Sequence, residues 1–294
     1  MNRIIILLAL VLTLSSCLDQ IAWEEAENPS GRLVVEGLIT SERKAHTVKL
    51  TQTMPVIVDT LPPVVTGAVV TIDDGTQVFT LTEKEPGIYQ TDTTVAGEVG
   101  NTYHLTINFN GEIFEAFAAM IAVEPPSSIG VTARDNFPAG AGEEGDFFQF
   151  IYRNNFGSSA PLHYQIRSEL PENVSDFYPP EWQMPNWLVW QLENQGLTLQ
   201  DSSYYLHPGL EPPAIFTYGE TNETRITLGT TITETFGSMT EEHYAFVRAI
   251  LSESEWRGLG PFGYIPADAP TNLSNGALGY FAASEVIRIQ QVIE

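Results

Sequence analysis

Few residues in this sequence are placed to do chemistry, and the clearest is its single cysteine. Cys17 follows Leu14-Ser15-Ser16, behind which lie the largely apolar run Ile4 to Leu14 and the cation Arg3. A cationic start, a short apolar stretch and small residues before a cysteine make a bacterial lipoprotein signal, so the expected chemistry is cleavage before Cys17 and lipidation of its sulfur. The eleven residues from Ile4 to Leu14 rise about 16 Å as a helix, roughly half a hydrocarbon core, and a permanent span is disfavoured. Residues 1–16 are therefore read as a signal peptide. Several acyl chains, each contributing about 0.8 kcal/mol per buried methylene, anchor stably where one does not. The competing reading of Cys17 is a small core residue.

The other reactive types do not assemble. His46, His104, His163, His207 and His243 are scattered, with no pair at the one-turn spacing of a zinc-binding helix and no cysteine partner. Ser158 and Ser159 lack a Gly-x-Ser-x-Gly elbow, and no glycine-rich phosphate loop occurs. Glu143-Glu144-Gly145-Asp146 and Asp73-Asp74-Gly75 offer oxygen ligands without the alternation of an EF-hand loop, and read as solvated turns. With 37 Asp and Glu, some pair falls near glycosidase spacing by chance. No catalytic residue, metal or cofactor is assigned, and a non-enzyme is expected.

One stretch does stand out. Phe177-Tyr178-Pro179-Pro180-Glu181-Trp182-Gln183-Met184-Pro185-Asn186-Trp187-Leu188-Val189-Trp190 holds three of the five tryptophans among prolines. Proline interrupts regular pairing, so some of these rings are expected on an irregular loop, where large amphipathic side chains favour partner or sugar contact. Phe177, Tyr178, Trp182, Trp187 and Trp190 are the candidate partner-binding residues. The competing reading has them capping their own domain's core.

Composition bounds the partners. The chain of 294 residues carries 13 Lys and Arg against 37 Asp and Glu, a formal charge of −24, with Lys44, Lys49 and Lys84 its only lysines. Nucleic acid needs clustered cations and is excluded as a partner, and anionic membrane surfaces are poor ones. Hydrophobic residues at 43% and charged ones at 17% describe a globular chain of about two domains.

The elements that must position these residues are mainly β. Residues 17–31 form an acidic tether ending in Pro29-Ser30-Gly31. Residues 32–124 read as a small β-sandwich of seven runs: Leu33 to Ile39, Thr47 to Thr51, Ala68 to Ile72, Gln77 to Thr82, Gly87 to Thr91, Thr102 to Phe109 and Glu112 to Ile121. Asp74-Gly75 and Asn110-Gly111 supply hairpin turns, and Pro62-Pro63 marks a long interstrand loop. Pro125-Pro126 is the expected boundary, with independent folding on either side. Residues 126–294 are expected to form a second β-rich domain, with strands including Ile129 to Ala133, Phe147 to Tyr152, Leu162 to Arg167, Tyr204 to Leu206, Arg225 to Leu228, Thr231 to Thr235 and Glu285 to Val292. Ser238 and Glu241 form a capping-box signature ahead of one amphipathic helix near 239–254, stopped by Gly258-Leu259-Gly260-Pro261.

Several motifs then fall in one order: the signal cysteine, Leu33-Val34-Val35-Glu36-Gly37-Leu38-Ile39-Thr40, Val65 to Ile72, Gly87-Ile88-Tyr89 with Gly100-Asn101-Thr102-Tyr103, and the ending Asn272-Leu273-Ser274-Asn275-Gly276-Ala277-Leu278-Gly279-Tyr280-Phe281. Together they resemble a Bacteroidota outer-membrane lipoprotein family known as a domain of unknown function and commonly encoded beside TonB-dependent receptors. Ala277 departs from the glycine expected there. The resemblance implies an Ig-like or transthyretin-like first domain, a lipid-anchored and cell-surface-facing protein, and a role as accessory subunit of a β-barrel receptor, binding the barrel or its cargo. It carries over no catalytic residues. The alternative is a glycan-binding or glycan-active surface lipoprotein using Trp182, Trp187 and Trp190.

Overall fold

In the run Thr102 to Phe109, Tyr103, Leu105 and Ile107 are buried while the residues between them meet water, which is the period of a strand with one packed face. A computed structural model describes residues 31–54, 61–124, 130–133, 148–151, 160–169, 182–183, 190–192, 201–206, 216–217, 231–254 and 269–292. Cys17, the tether, the Pro125-Pro126 boundary and the run Arg225 to Leu228 lie outside the described residues.

The chain is mainly β. Its first strands are β1 (Leu33–Thr40), β2 (Thr47–Gln52), β3 (Val69–Asp73), β4 (Val78–Thr80), β5 (Thr82–Glu85), β6 (Ile88–Gln90), β7 (Thr102–Phe109) and β8 (Glu112–Ala119). The expected run Gln77 to Thr82 is two strands, because Leu81 turns into the core between β4 and β5. One sheet has the order β4-β3-β7-β8. The other contains β1, β2, β6 and β5. Val35, Ile39 and Leu50 from one sheet meet Val70, Leu105 and Ile107 from the other in a single apolar cluster. Full burial of each such side chain contributes roughly 1.5–3 kcal/mol, so this cluster is the main support of the unit. Two sheets over one core are compatible with the expected sandwich. At the β7–β8 hairpin both Asn110 and Gly111 have positive φ, 54° and 82°, as a two-residue turn matching strand twist requires.

The second set comprises β9 (Gly130–Ala133), β10 (Phe148–Ile151), β11 (Leu162–Glu169), β12 (Trp182–Gln183), β13 (Trp190–Leu192), β14 (Asp201–Leu206), β15 (Phe216–Thr217), β16 (Thr231–Ser238), helix α1 (Glu241–Ser254), β17 (Leu278–Ser284) and β18 (Val286–Val292). A five-stranded antiparallel sheet has the order β13-β14-β11-β16-β18, while β9 pairs with β10 and β12 with β15.

By sequence, everything after residue 126 belongs to the second unit; in the structure β17 belongs to the first. It pairs in parallel with β1 from Val34↔Leu278 to Thr40↔Ser284, and Ala277, Phe281 and Ala283 join the sandwich core. Gly279 makes the approach possible: its φ is +92°, and a Cβ there would collide with the Val35 carbonyl oxygen. Just before β17, Leu273 bridges to Ala116 of β8. Ser274 N–H donates to the Glu115 carbonyl at 2.8 Å and its hydroxyl accepts from Glu115 N–H at 2.8 Å. The Asn272 amide donates to the Phe117 and Phe281 carbonyls at 2.9 and 2.7 Å and accepts from Phe281 N–H at 3.1 Å. The segment thus covers the free edges of β8 and β1 together, a protection that exposed strand edges require.

From β17 the chain runs straight into the second sheet. Between β17 and β18 stands Glu285, whose carboxylate accepts from Val123 N–H at 2.6 Å. Its N–H donates to the Ser238 hydroxyl and its carbonyl accepts from Ser238 N–H, both at 2.9 Å. Ser41 adds a second tie, accepting from Val286 N–H at 2.9 Å. These bonds correct the expected capping box, since Ser238 ends β16 and serves Glu285. The cap of α1 is Thr240, whose hydroxyl accepts from His243 N–H at 3.2 Å and whose carbonyl accepts from Tyr244 N–H.

Candidate functional site

The residues singled out by sequence are not brought together in what is described. Cys17, Phe177, Tyr178 and Trp187 lie outside the described residues. Trp182 sits in β12 opposite Thr217, and Trp190 in β13 opposite Tyr205, so their backbones belong to two different sheets. Proline in this stretch therefore leaves room for short pairings at both tryptophans.

Asp73-Asp74-Gly75 is a turn held by its own carboxylates. Asp73 accepts from Gly75 N–H, and Asp74 accepts from Thr76 and Gln77 N–H, each at 2.8 Å. Glu143 to Asp146 lies outside the described residues. Among the described residues no group of three His, Cys, Asp or Glu side chains is placed to hold a metal ion.

The arrangement best suited to contact lies where β8, β17 and α1 meet. Phe117 on β8 is 59% exposed, yet its ring is fixed: His104 of β7 stacks on it at 4.2 Å and 7°. His104 is itself held by Glu115 at 2.9 Å, and the Phe117 carbonyl by Asn272. Beside this ring runs a groove of about 400 Å³, whose lining includes Phe117, Thr240, Glu242, His243, Asn272 and Tyr280. Tyr280 points away from the sandwich core and takes the ring of His243 on it at 5.1 Å and Phe246 at 5.0 Å. α1 therefore closes one side of the groove against the outer face of β17.

Burial tunes the ionisable groups near this junction. Desolvation pulls His243 down to about 4, with repulsion from His163 adding to it, and desolvation pulls His163 down to about 4 as well. Both imidazoles are neutral at pH 7, and Nδ1 of His243 is buried without a hydrogen bond. Further along the sheet, burial raises the Glu234 carboxyl to about 7 against the lowering effect of Tyr164, whose hydroxyl donates to it at 2.8 Å. The groove thus presents aromatic rings, an amide and the Glu242 carboxylate side by side. Sequence reasoning left His104, His163 and His243 as scattered residues and did not single out Glu234. The available signal was the alternation of Ile232, Glu234 and Phe236, which places a carboxylate on a buried face.

The family model for a domain of unknown function, DUF4249, matches residues 19–290. The chain belongs to that family. The match runs through the sandwich, the groove and the shared strand β17–β18, so the DUF4249 unit is the two-part body rather than either part. Comparison with curated proteins found no match.

Proposed function

We propose that this DUF4249 protein is a non-enzymatic lipoprotein of the outer membrane, anchored through Cys17 and facing the cell surface, which serves as an accessory subunit of a TonB-dependent-receptor-type β-barrel and docks the barrel or its cargo. The observation that carries the docking role is Phe117, an exposed aromatic ring locked by His104, Glu115 and Asn272 beside an open groove. Pre-fixed aromatic side chains lose little freedom on binding and are the usual anchors of protein interfaces. The lipid anchor rests on Leu14-Ser15-Ser16-Cys17. No helix among the described residues is long and apolar enough to cross a membrane. The tryptophans at 182, 187 and 190 remain candidates for an extended contact surface.

The test is purification of the lipidated chain from its native membrane, with identification of a co-purifying β-barrel, followed by Phe117→Ala. Loss of a central interface aromatic costs on the order of 2 kcal/mol, about a thirtyfold weakening, and the ring's exposure means that thermal unfolding should hardly move. Unchanged barrel association in Phe117→Ala, or an absence of any barrel, removes the docking role.

A further inference from the structure

The two ends of the sandwich differ in what they offer to solvent. At one end the chain enters: Gly31 N–H donates to the Thr53 carbonyl, and Thr53 N–H to the Arg32 carbonyl. The loop between β2 and β3 reaches the same end, because Gln52 N–H donates to the Pro63 carbonyl and Thr51 bridges Val64. There Leu61 is 90% exposed and Val64 51% exposed, with Pro62 and Pro63 exposed between them. Register continues the apolar rim: Val69 opens β3 and Ile113 is the second residue of β8, paired through Asn108 at the same end of β7, and both are more than half exposed. The opposite end, about 26 Å away along the eight residues of β1, carries the second unit through Ser41, Ser284 and Glu285.

A leucine almost wholly in water, next to residues held by backbone hydrogen bonds, is unusual in a folded chain when other apolar side chains are exposed around it. What covers it follows from where the chain comes from. Thirteen residues lie between Cys17 and Gly31, and covalent geometry limits their reach to about 45 Å. An anchor at Cys17 therefore joins the molecule at this end, and not at the end that carries the second unit. Charges near the rim are of both signs, Arg32 and Lys84 against Glu85 and Glu112, so attraction to anionic headgroups plays no part. Transfer of apolar side chains out of water does.

We propose that Leu61 and Val64, at the end of the sandwich where the chain enters, insert into the lipid surface beside the anchor, fixing the protein upright with α1 and the groove on the far side. This rests on the lipidation of Cys17 proposed above, and the two are separable by experiment. In the lipidated full chain the Cys17 sulfur is a thioether, so Leu61→Cys introduces the sole free thiol, which is labelled with an environment-sensitive nitrobenzoxadiazole probe. The labelled protein is reconstituted into phosphatidylcholine/phosphatidylethanolamine vesicles and floated. A several-fold rise in emission with a blue shift, quenched by nitroxide lipids and unaffected by salt, is expected at Leu61→Cys and not at Gln77→Cys, which lies at the far end of β3. If the protein floats but the probe at 61 reads water, insertion is wrong and anchoring stands; the rim would then be free to meet a protein partner. If the protein does not float, both fall.

Discussion

The cores of the two units are built from different materials. The sandwich packs mostly aliphatic and aromatic side chains, two tyrosines among them, and beside this cluster holds one buried imidazole, His46, whose Nδ1 accepts from Thr40 N–H and whose Nε2 meets the Val95 carbonyl. The sheet of the second unit places Glu234 between Ile232 and Phe236 on its buried side and His163 beneath the junction with α1, where His243 joins it. An apolar core gives stability with little dependence on pH. Buried titratable groups make stability depend on pH, in a direction that each group sets separately. Both units therefore respond to pH, the first through His46 and the second through Glu234, His163 and His243, so most of the response is placed in the second.

The largest test of this contrast is to remove what both units share. A chain ending at Pro270 lacks β17 and β18, and therefore loses the β1 and β16 pairings together. Neither unit should unfold cooperatively, as followed by circular dichroism and calorimetry. A sandwich spanning Gly31 to Glu124 that melted cooperatively alone would restore the independent domain expected from sequence.

A smaller effect is expected at Gly279. Gly279→Ala forces a side chain against Val35 in a backbone region that disfavours it, and should cost on the order of 2–4 kcal/mol of unfolding free energy, measured in urea. Because Val35 belongs to the first core and Tyr280 to the contact with α1, the loss should appear in probes of both units. A loss confined to one would mean that the shared strand does not couple them.

The smallest effect separates the cores by pH. Glu234 has a folded value near 7, above its ordinary 4.5, so its stabilising contribution is full below pH 4.5 and is lost as pH rises through 7. His163 and His243 run oppositely: their folded values near 4 give stability that is full above pH 6.5 and lost as pH falls towards 4. Glu234→Gln leaves only the histidine slope. The melting temperature of the variant minus that of the wild type should therefore grow as pH rises from 4.5 to 8. A constant difference would show that the carboxyl is not raised.

How much of this was legible depended on whether burial left a period in the sequence. The strand at Thr102–Phe109 matches its predicted limits because one face is dry and the other wet. Leu278 to Ser284 escaped because it is covered on both sides, by the sandwich core and by α1, and a strand buried twice shows no alternation. Ser238 misled for a related reason: its sequence neighbours suit a helix cap, while its partner, Glu285, is 47 residues away. The groove was out of reach from sequence, since Phe117, His243 and Tyr280 come from three elements that only the return of the chain brings together.

The parallel pairing of β1 with β17 also decides how the molecule carries load. A pull applied between Gly31 and the second unit draws β1 from its beginning and β17 from its end. Seven paired residues then slide past one another in shear and must give way together, rather than peeling apart one at a time as a hairpin would. Tension between the chain's entry at Gly31 and the second unit is borne along the strongest axis the sheet possesses.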